Sequence, residues 1–311
     1  MRDHTGTFEN QHIMGWGARS PEPTPGTYLW ADLDRRVALI RATGGTPVIT
    51  LCCAPDWMKG GSAGVTDWSR LTIAPTAAHY KDYADLARRI ALRYPDVHYF
   101  QVWNEMKGFY DPVHNRWRYK DYTALYNEVY DALKKVDRNI KVGGPYVVMD
   151  SCAPGACSHP SRINGPWGVL DQRPLDVLSY WFTHAHGADF VAVDGGTRPK
   201  GRDYLVSPYD STDKYRAVDV WLRSHTKLPI WWSEFYPVPY GYRGHWSMQS
   251  QVKVMTKALR VVQGSGGSVV LFWQPEGQDG WTGLWTGTAA PAGGAPTPIY
   301  NAVAPWLGGT S

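Results

Sequence analysis

Gln101-Val-Trp-Asn-Glu105 closes a strand-like apolar run over residues 97–104, and its glutamate stands where that run ends. The arrangement returns in Pro229-Ile-Trp-Trp-Ser-Glu-Phe-Tyr-Pro237, where Glu234 again follows β-branched and aromatic residues. Outward from these two segments, further strand-like runs fall at 11–16, 46–54, 140–147, 188–193 and 268–273, the second quoted segment belonging to a run at 228–234. Helical stripes separate them. Tyr83, Ala87, Ile90 and Tyr94 form one, and Tyr122, Leu125, Tyr126, Val129, Tyr130 and Leu133 form another, each at the i, i+3, i+4 spacing of an amphipathic helix. Strand and helix periods that alternate in this way predict an α/β fold with a parallel sheet.

The punctuation agrees. Thr76 after Pro75 and Ser211 before Asp213 read as helix N-caps, while Gly44-Gly45 and Gly264-Ser-Gly-Gly267 stand where a helix ends and a strand begins. Neither a repeat beyond the alternation nor a linker divides the sequence, so a single domain over residues 1–311 is expected. Residues 150–174, 195–208 and 274–298 read as long irregular pieces, all of them after strands, on the side that carries the active site in barrels of this class.

Composition limits the function. The 311 residues, 43% hydrophobic, suffice for a large core, and no apolar run approaches the length of a membrane span. A formal charge of +4 with scattered Lys and Arg gives no basic patch, which argues against nucleic acid as a partner. The runs Asp32-Leu-Asp-Arg-Arg36 and Ala87-Arg-Arg89 read as solvated helix faces. Sixteen Trp and nineteen Tyr against seven Phe favour rings with a polar handle, which suit half-buried surfaces and a carbohydrate cleft.

Cys52 and Cys53 lie in an apolar run where neighbouring side chains point to opposite faces, so they are expected to be free packing residues. Cys152 and Cys157 bracket the turn Ala-Pro-Gly-Ala. Disulfide and free thiols both remain open there, and a bridge would fit a secreted protein. No charged-then-apolar leader opens the sequence. With no second Cys or His pair beside that loop, neither zinc nor any other metal or cofactor is expected.

Two carboxylates at strand ends are the minimum machinery for cleaving a glycosidic bond through an oxocarbenium-like transition state. Aromatic neighbours such as Trp103 and Phe109 can raise a carboxyl pKa by desolvation and can stack on a sugar face. The expected partner is therefore an oligosaccharide or polysaccharide.

The residues also carry a family resemblance. Trp103-Asn104-Glu105, Gly143-Gly144-Pro145, Ser233-Glu234 and Trp273, with Tyr28-Leu-Trp30, Leu33-Asp34, Gly45-Thr-Pro-Val-Ile49 and Pro55-Asp-Trp-Met58, resemble clan A glycoside hydrolases. Within the clan, the sequence is most similar to family 39, whose members include β-xylosidases and α-L-iduronidases, over about residues 10–305. The resemblance implies a (β/α)8 TIM-type barrel and a retaining glycosidase acting on pentose-containing (xylo- or arabino-) or related glycans. Glu105, at the end of the fourth barrel strand, would be the acid/base. Glu234, at the end of the seventh, would be the nucleophile, with the two carboxyl groups ~5 to 6 Å apart.

Asn104 would hydrogen-bond the sugar 2-hydroxyl, Trp273 would floor the −1 subsite, and Tyr236 would contact the nucleophile or line the cleft. His12, Asp56, Trp57 and Trp16 are strand-end candidates for sugar hydroxyls. Two departures stand out. Where the family places a His-containing segment after strand six, this sequence has Val193-Asp194-Gly195-Gly196. Seven strands are counted, and residues 1–10 are too short for a strand with its returning helix, a unit of ~30 residues. The sequence is thus expected to begin after the first strand and helix, and to lack an accessory β-sandwich. A barrel that binds carbohydrate but has lost turnover is the alternative, and a metal-dependent hydrolase using His184 and His186 is a third reading.

Overall fold

Seven strands of one parallel order organise the described residues. The computed structural model describes residues 7–15, 18–201, 206–237, 247–276, 283–287, 289, 291 and 294–307. In chain order the elements are β1 (Phe8–His12), α1 (Ala31–Ala42), β2 (Thr46–Leu51), α2 (Tyr80–Arg93), β3 (Tyr99–Val102), β4 (Tyr110–Asp111), β5 (Arg116–Trp117), α3 (Tyr119–Val136) and β6 (Lys141–Val148). They continue with β7 (Ser151–Cys152), β8 (Pro160–Gly165), β9 (Gly168–Asp171), α4 (Gln172–His184), β10 (Phe190–Gly196), α5 (Pro208–Ser211) and α6 (Asp213–His225). The last are β11 (Ile230–Tyr236), α7 (Met248–Ser265), β12 (Gly267–Phe272) and α8 (Pro298–Val303). Each of the seven strand-like runs overlaps a strand, although the run at 11–16 does so only at Gln11 and His12, because β1 lies earlier, at Phe8–His12. The chain groups into two compact units, residues 1–147 with 176–192, and residues 148–175 with 193–311.

In the first unit the strand order is β1-β2-β3-β6, followed by the opening residues of β10. Pairing is parallel, with His12 opposite Thr50, Leu51 opposite Val102, and Gln101 opposite Gly143. Helices cover such strands, which is why Val48, Ile49, Leu51, Phe100 and Val102 are buried in nearly continuous runs instead of alternating. The stripes on α2 and α3 face inward as their spacing predicts, and only Tyr130 of the six α3 residues is left half-buried. A glycine is needed at Gly143, where a Cβ would come within 2.1 Å of the Phe190 ring.

Tyrosine has a specific use here. A buried carbonyl has two lone pairs, so one at a strand end can take a side-chain donor besides a backbone one, as Leu51 O does while accepting from Trp103 N at 3.1 Å. Tyr83 of α2 donates its hydroxyl to Leu51 O at the end of β2, and Tyr122 of α3 donates to Val102 O at the end of β3, 2.9 Å away. Burial pushes both phenols well above their usual range, so they stay protonated donors.

The second unit holds the end of β10, then β11 and β12, with α6 and α7 packed together. Tyr215 of α6 repeats the tyrosine contact on Gly195 O at 3.2 Å. Asp219 ties α6 to its neighbours, accepting from Trp232 Nε1 at 3.0 Å and Ser265 Oγ at 2.6 Å, and burial pushes its carboxyl up to about 7.

Several expectations are corrected. Residues 150–174 are not irregular: β7, β9 and β8 form an antiparallel sheet in that order, closed by a Cys152–Cys157 disulfide with Cα atoms 5.4 Å apart. Cys52 and Cys53 are joined to each other across a cis peptide bond instead of packing as free thiols. They lie beyond Leu51, where β2 has ended and strand alternation no longer separates neighbours. The cap of α6 is Thr212, not Ser211, and Thr76 caps a 3-10 turn at Ala77–His79 without a side-chain bond. No helix among the described residues is long and apolar enough to cross a membrane.

Candidate active site

Glu105 sits in a turn built by the residues around it. After β3, Trp103, Glu105 and Met106 all take left-handed backbone, with φ of 70°, 49° and 57°. Such residues cost of order 1 kcal/mol or more each and persist only where packing over-determines them. Here an edge-to-face ladder Tyr83–Trp103–Phe109–Tyr122, with centroids 5.7, 5.9 and 5.6 Å apart, grips the turn. Trp103 Nε1 donates to Lys107 O at 2.7 Å. Gly108, at φ 78°, lies so close to the Thr72–Ala74 backbone that a Cβ would sit 2.3 Å from Ala74 N.

The Glu105 carboxylate is partly exposed and ion-pairs with Lys107, whose ammonium also donates to Asn104 Oδ1 at 3.1 Å. Asn104 is buried. The apolar setting expected around Glu105 is therefore the floor of its turn, while the carboxylate itself meets a cation.

His12 ends β1 in the same unit. Burial pushes its pKa down to about 4, helped by the Lys107 and Arg36 cations, so the ring is neutral at neutral pH. Asp56 is spent inside the protein: its carboxylate pairs with the fully buried Lys59 ammonium at 3.2 Å and accepts from Asp67 N at 2.7 Å. Trp57 is half-buried, donates Nε1 to Glu22 O at 2.9 Å and meets His79 edge-on. Trp16 lies outside the described residues.

In the second unit, Glu234 owes its direction to a bulge. Trp232 pairs with Val270 and Phe235 with Phe272, three residues of β11 against two of β12. The extra residue brings both rings onto Tyr215, at 4.6 and 4.8 Å, although strict alternation would separate them. Ser233 and Glu234 occupy the bulge, both buried.

Tyr236 lies flat against Gly196, where a Cβ would be 2.6 Å from its ring. Trp273 follows β12, half-buried, with its backbone N–H donating to Phe235 O at 3.3 Å. Asp194 of β10, wholly buried, has a carboxylate oxygen within 4.8 Å of one from Glu234. His184 and His186 do not converge: the first turns to Tyr180 O at 2.9 Å and the second to Asp131 at 2.9 Å.

Sequence reasoning gave no role to Lys107, Asp194 or Lys214. Only Asp194 left a signal, as an acidic residue before Gly-Gly at a strand end.

Parallel strands alternating with helices, and acidic side chains at the strands' carboxyl ends, define a protein of the α/β-barrel class. The family model for glycosyl hydrolases family 39 matches residues 17–190, more than half of the chain, and the chain belongs to that family.

A beta-xylosidase of Caldicellulosiruptor saccharolyticus is 26% identical over 177 residues, covering 53% of this chain and 32% of that protein. The chain thus spans about a third of that relative's length. A monomeric beta-xylosidase from Caulobacter crescentus CB15 superposes with a TM-score of 0.62 at 19% identity, covering 97% of this chain and 67% of that one. The GH39 enzyme from Xanthomonas axonopodis pv. citri gives 0.60 at 22% identity, with 89% and 54% covered. These likenesses show the fold, an α/β barrel of the TIM type.

Proposed function

We propose that the chain, as one catalytic domain, is a retaining glycosidase of pentose-containing glycans, with Glu105 as acid/base and Glu234 as nucleophile. The observation that carries the reading is the local construction of each glutamate. Glu105 is held in a turn of left-handed residues, and Glu234 is aimed by a bulge, in a chain of a glycosidase family. Strain and bulges of this kind cluster at functional sites. The β-xylosidase relatives support a xylose-type sugar.

In this reading Glu234 attacks the anomeric carbon while Glu105 protonates the leaving oxygen, and Glu105 then returns as base to activate water. For a Glu105 that starts paired with Lys107, delivering the proton requires substrate to displace the ammonium. Asn104, Tyr236, Trp273, His12 and Trp57 are assigned to sugar contacts, the neutral His12 imidazole suiting a hydroxyl. Asp56, consumed by Lys59, is assigned a structural role. The two disulfides favour secretion into an oxidising medium.

The test is kinetic. Glu234→Ala should abolish the first step on every substrate, whereas Glu105→Ala should harm poor leaving groups far more than activated aryl ones, since only the former need a proton. Azide should rescue the two variants to glycosyl azides of opposite anomeric configuration. Equal losses on all substrates without rescue would show that these glutamates only shape a binding site, as in a barrel without turnover.

A further inference from the structure

Asp56 and Lys59 are buried together, and what they hold is a surface segment. Beyond their mutual contact, Asp56 accepts from Asp67 N at 2.7 Å, Lys59 Nζ donates to Arg70 O at 2.9 Å, and Arg70 Nη2 returns a bond to Lys59 O at 3.2 Å. A buried ion pair needs further hydrogen bonds around it, and the backbone of residues 67–71 supplies them. The segment is also wedged between two strand ends. Leu71 packs on Gly15, beyond β1, 3.7 Å from where a Cβ would stand, and the Thr72–Ala74 backbone lies against Gly108, beyond β3. Residues 67–74 thus form a fixed rim on the carboxyl side of the first unit's strands.

That rim turns apolar groups to water. Trp68 is 47% exposed and Ile73 38%, and the Trp68 indole makes no hydrogen bond or ring contact with another described residue. Across the Gly108 contact, the β4–β5 hairpin adds a second aromatic surface. Tyr110, 37% exposed, stands opposite Trp117 with the rings edge to face at 5.0 Å, and the hairpin is rooted where Arg118 N donates to Phe109 O at 2.7 Å. A single exposed ring needs no explanation. Here, however, the rings are carried on two touching and firmly held segments, one of which follows directly on the Glu105 turn, so the surface is preorganised beside the candidate acid/base.

This position names the ligand. An acid/base protonates the leaving oxygen, so the departing part of a glycan lies over its side of the site. The apolar C–H faces of pyranose rings stack on such aromatic groups, and the indole N–H remains for a hydroxyl. We propose that Trp68, with Tyr110 and Trp117 of the hairpin, binds the sugar units on the leaving-group side of the scissile bond, so that the chain prefers longer xylo-oligosaccharides to xylobiose. The side rests on the reading of Glu105 as acid/base; the presence of the sugar-binding surface does not.

Binding and turnover test it separately. Calorimetric titration of the whole chain carrying Glu234→Ala with xylohexaose should give an affinity that Trp68→Ala weakens about tenfold and Tyr110→Ala weakens less. In the active chain, kcat/KM should rise from xylobiose to xylotetraose, and Trp68→Ala should reduce that rise about tenfold, through KM and not kcat. Both side chains are partly in water, and circular dichroism melting checks that each variant is folded. No binding of xylohexaose by the parent, or undiminished affinity in both variants, overturns the proposal. So does a dimer that Trp68→Ala converts to a monomer in sedimentation, which would make the rim a contact between copies of the chain. If Trp68→Ala loses xylohexaose while Glu105→Ala and Glu234→Ala keep full turnover, the catalytic assignment fails and the binding surface stands.

Discussion

His12 makes the stability of the first unit acid-sensitive by an amount that follows from its burial. Its pKa falls from 6.5 to about 4, chiefly by desolvation, with Lys107 and Arg36 adding to the shift. Between those values the unfolded chain binds a proton that the folded chain refuses, so stability rises with pH across the window. The contribution is fully present above 6.5 and is lost as pH falls toward 4. At 1.36 kcal/mol per pKa unit the loss is about 3 kcal/mol.

Asp219 works in the opposite direction over nearly the same range. Its carboxyl, raised to about 7, favours the folded state at low pH and loses that contribution as pH rises through the folded value. Wild type alone would therefore show a muted slope. The clean measurement is the difference in urea-unfolding free energy between wild type and His12→Gln from about pH 7 to about pH 4, in which Asp219 cancels. That difference should shrink by about 3 kcal/mol on acidification. A flat difference would refute the claim that His12 is neutral and desolvated.

Two further substitutions test the packing. Lys59→Met leaves the Asp56 carboxylate buried without its cation and should cost about 3–5 kcal/mol, much of it recovered in Lys59→Met/Asp56→Leu; a loss under about 1 kcal/mol in chemical denaturation would mean the pair is solvated. Gly143→Ala drives a methyl into the Phe190 ring and should cost about 1–3 kcal/mol, with Phe190→Leu relieving part of it; strictly additive losses would mean the two do not touch.

Much of the fold was legible because parallel strands and their helices announce themselves by period. The runs at 46–54 and 140–147 became β2 and β6, and the α3 stripe faced inward. The sheet over β7, β9 and β8 escaped notice because β7 and β9 are too short to show a period and β8 is mostly polar, while the turn between β8 and β9 falls at Pro166-Trp167, which carries no Asn-Gly hairpin signal.

Strand-end glutamates were visible as residues, but the devices that aim them were not. The left-handed turn at Trp103–Met106 depends on rings from α2 and α3, and the β11 bulge is a mismatch between two strands. Asp56 read as a ligand because an acidic residue past a strand looks the same whether it faces a sugar or a buried lysine, and Lys59 is paired with it only once the 3-10 turn Asp56–Lys59 forms.

The central claim is that Glu234 forms a covalent bond to the sugar. Incubation with 2,4-dinitrophenyl 2-deoxy-2-fluoro-β-xyloside slows turnover of the glycosyl-enzyme, so intact mass followed by peptide mapping reads the bond directly. The account predicts one added fluoroxylosyl group, located on Glu234 and absent from Glu234→Gln. A label on another carboxylate, or an inverted anomer in the product of the natural reaction with no label at all, would contradict it.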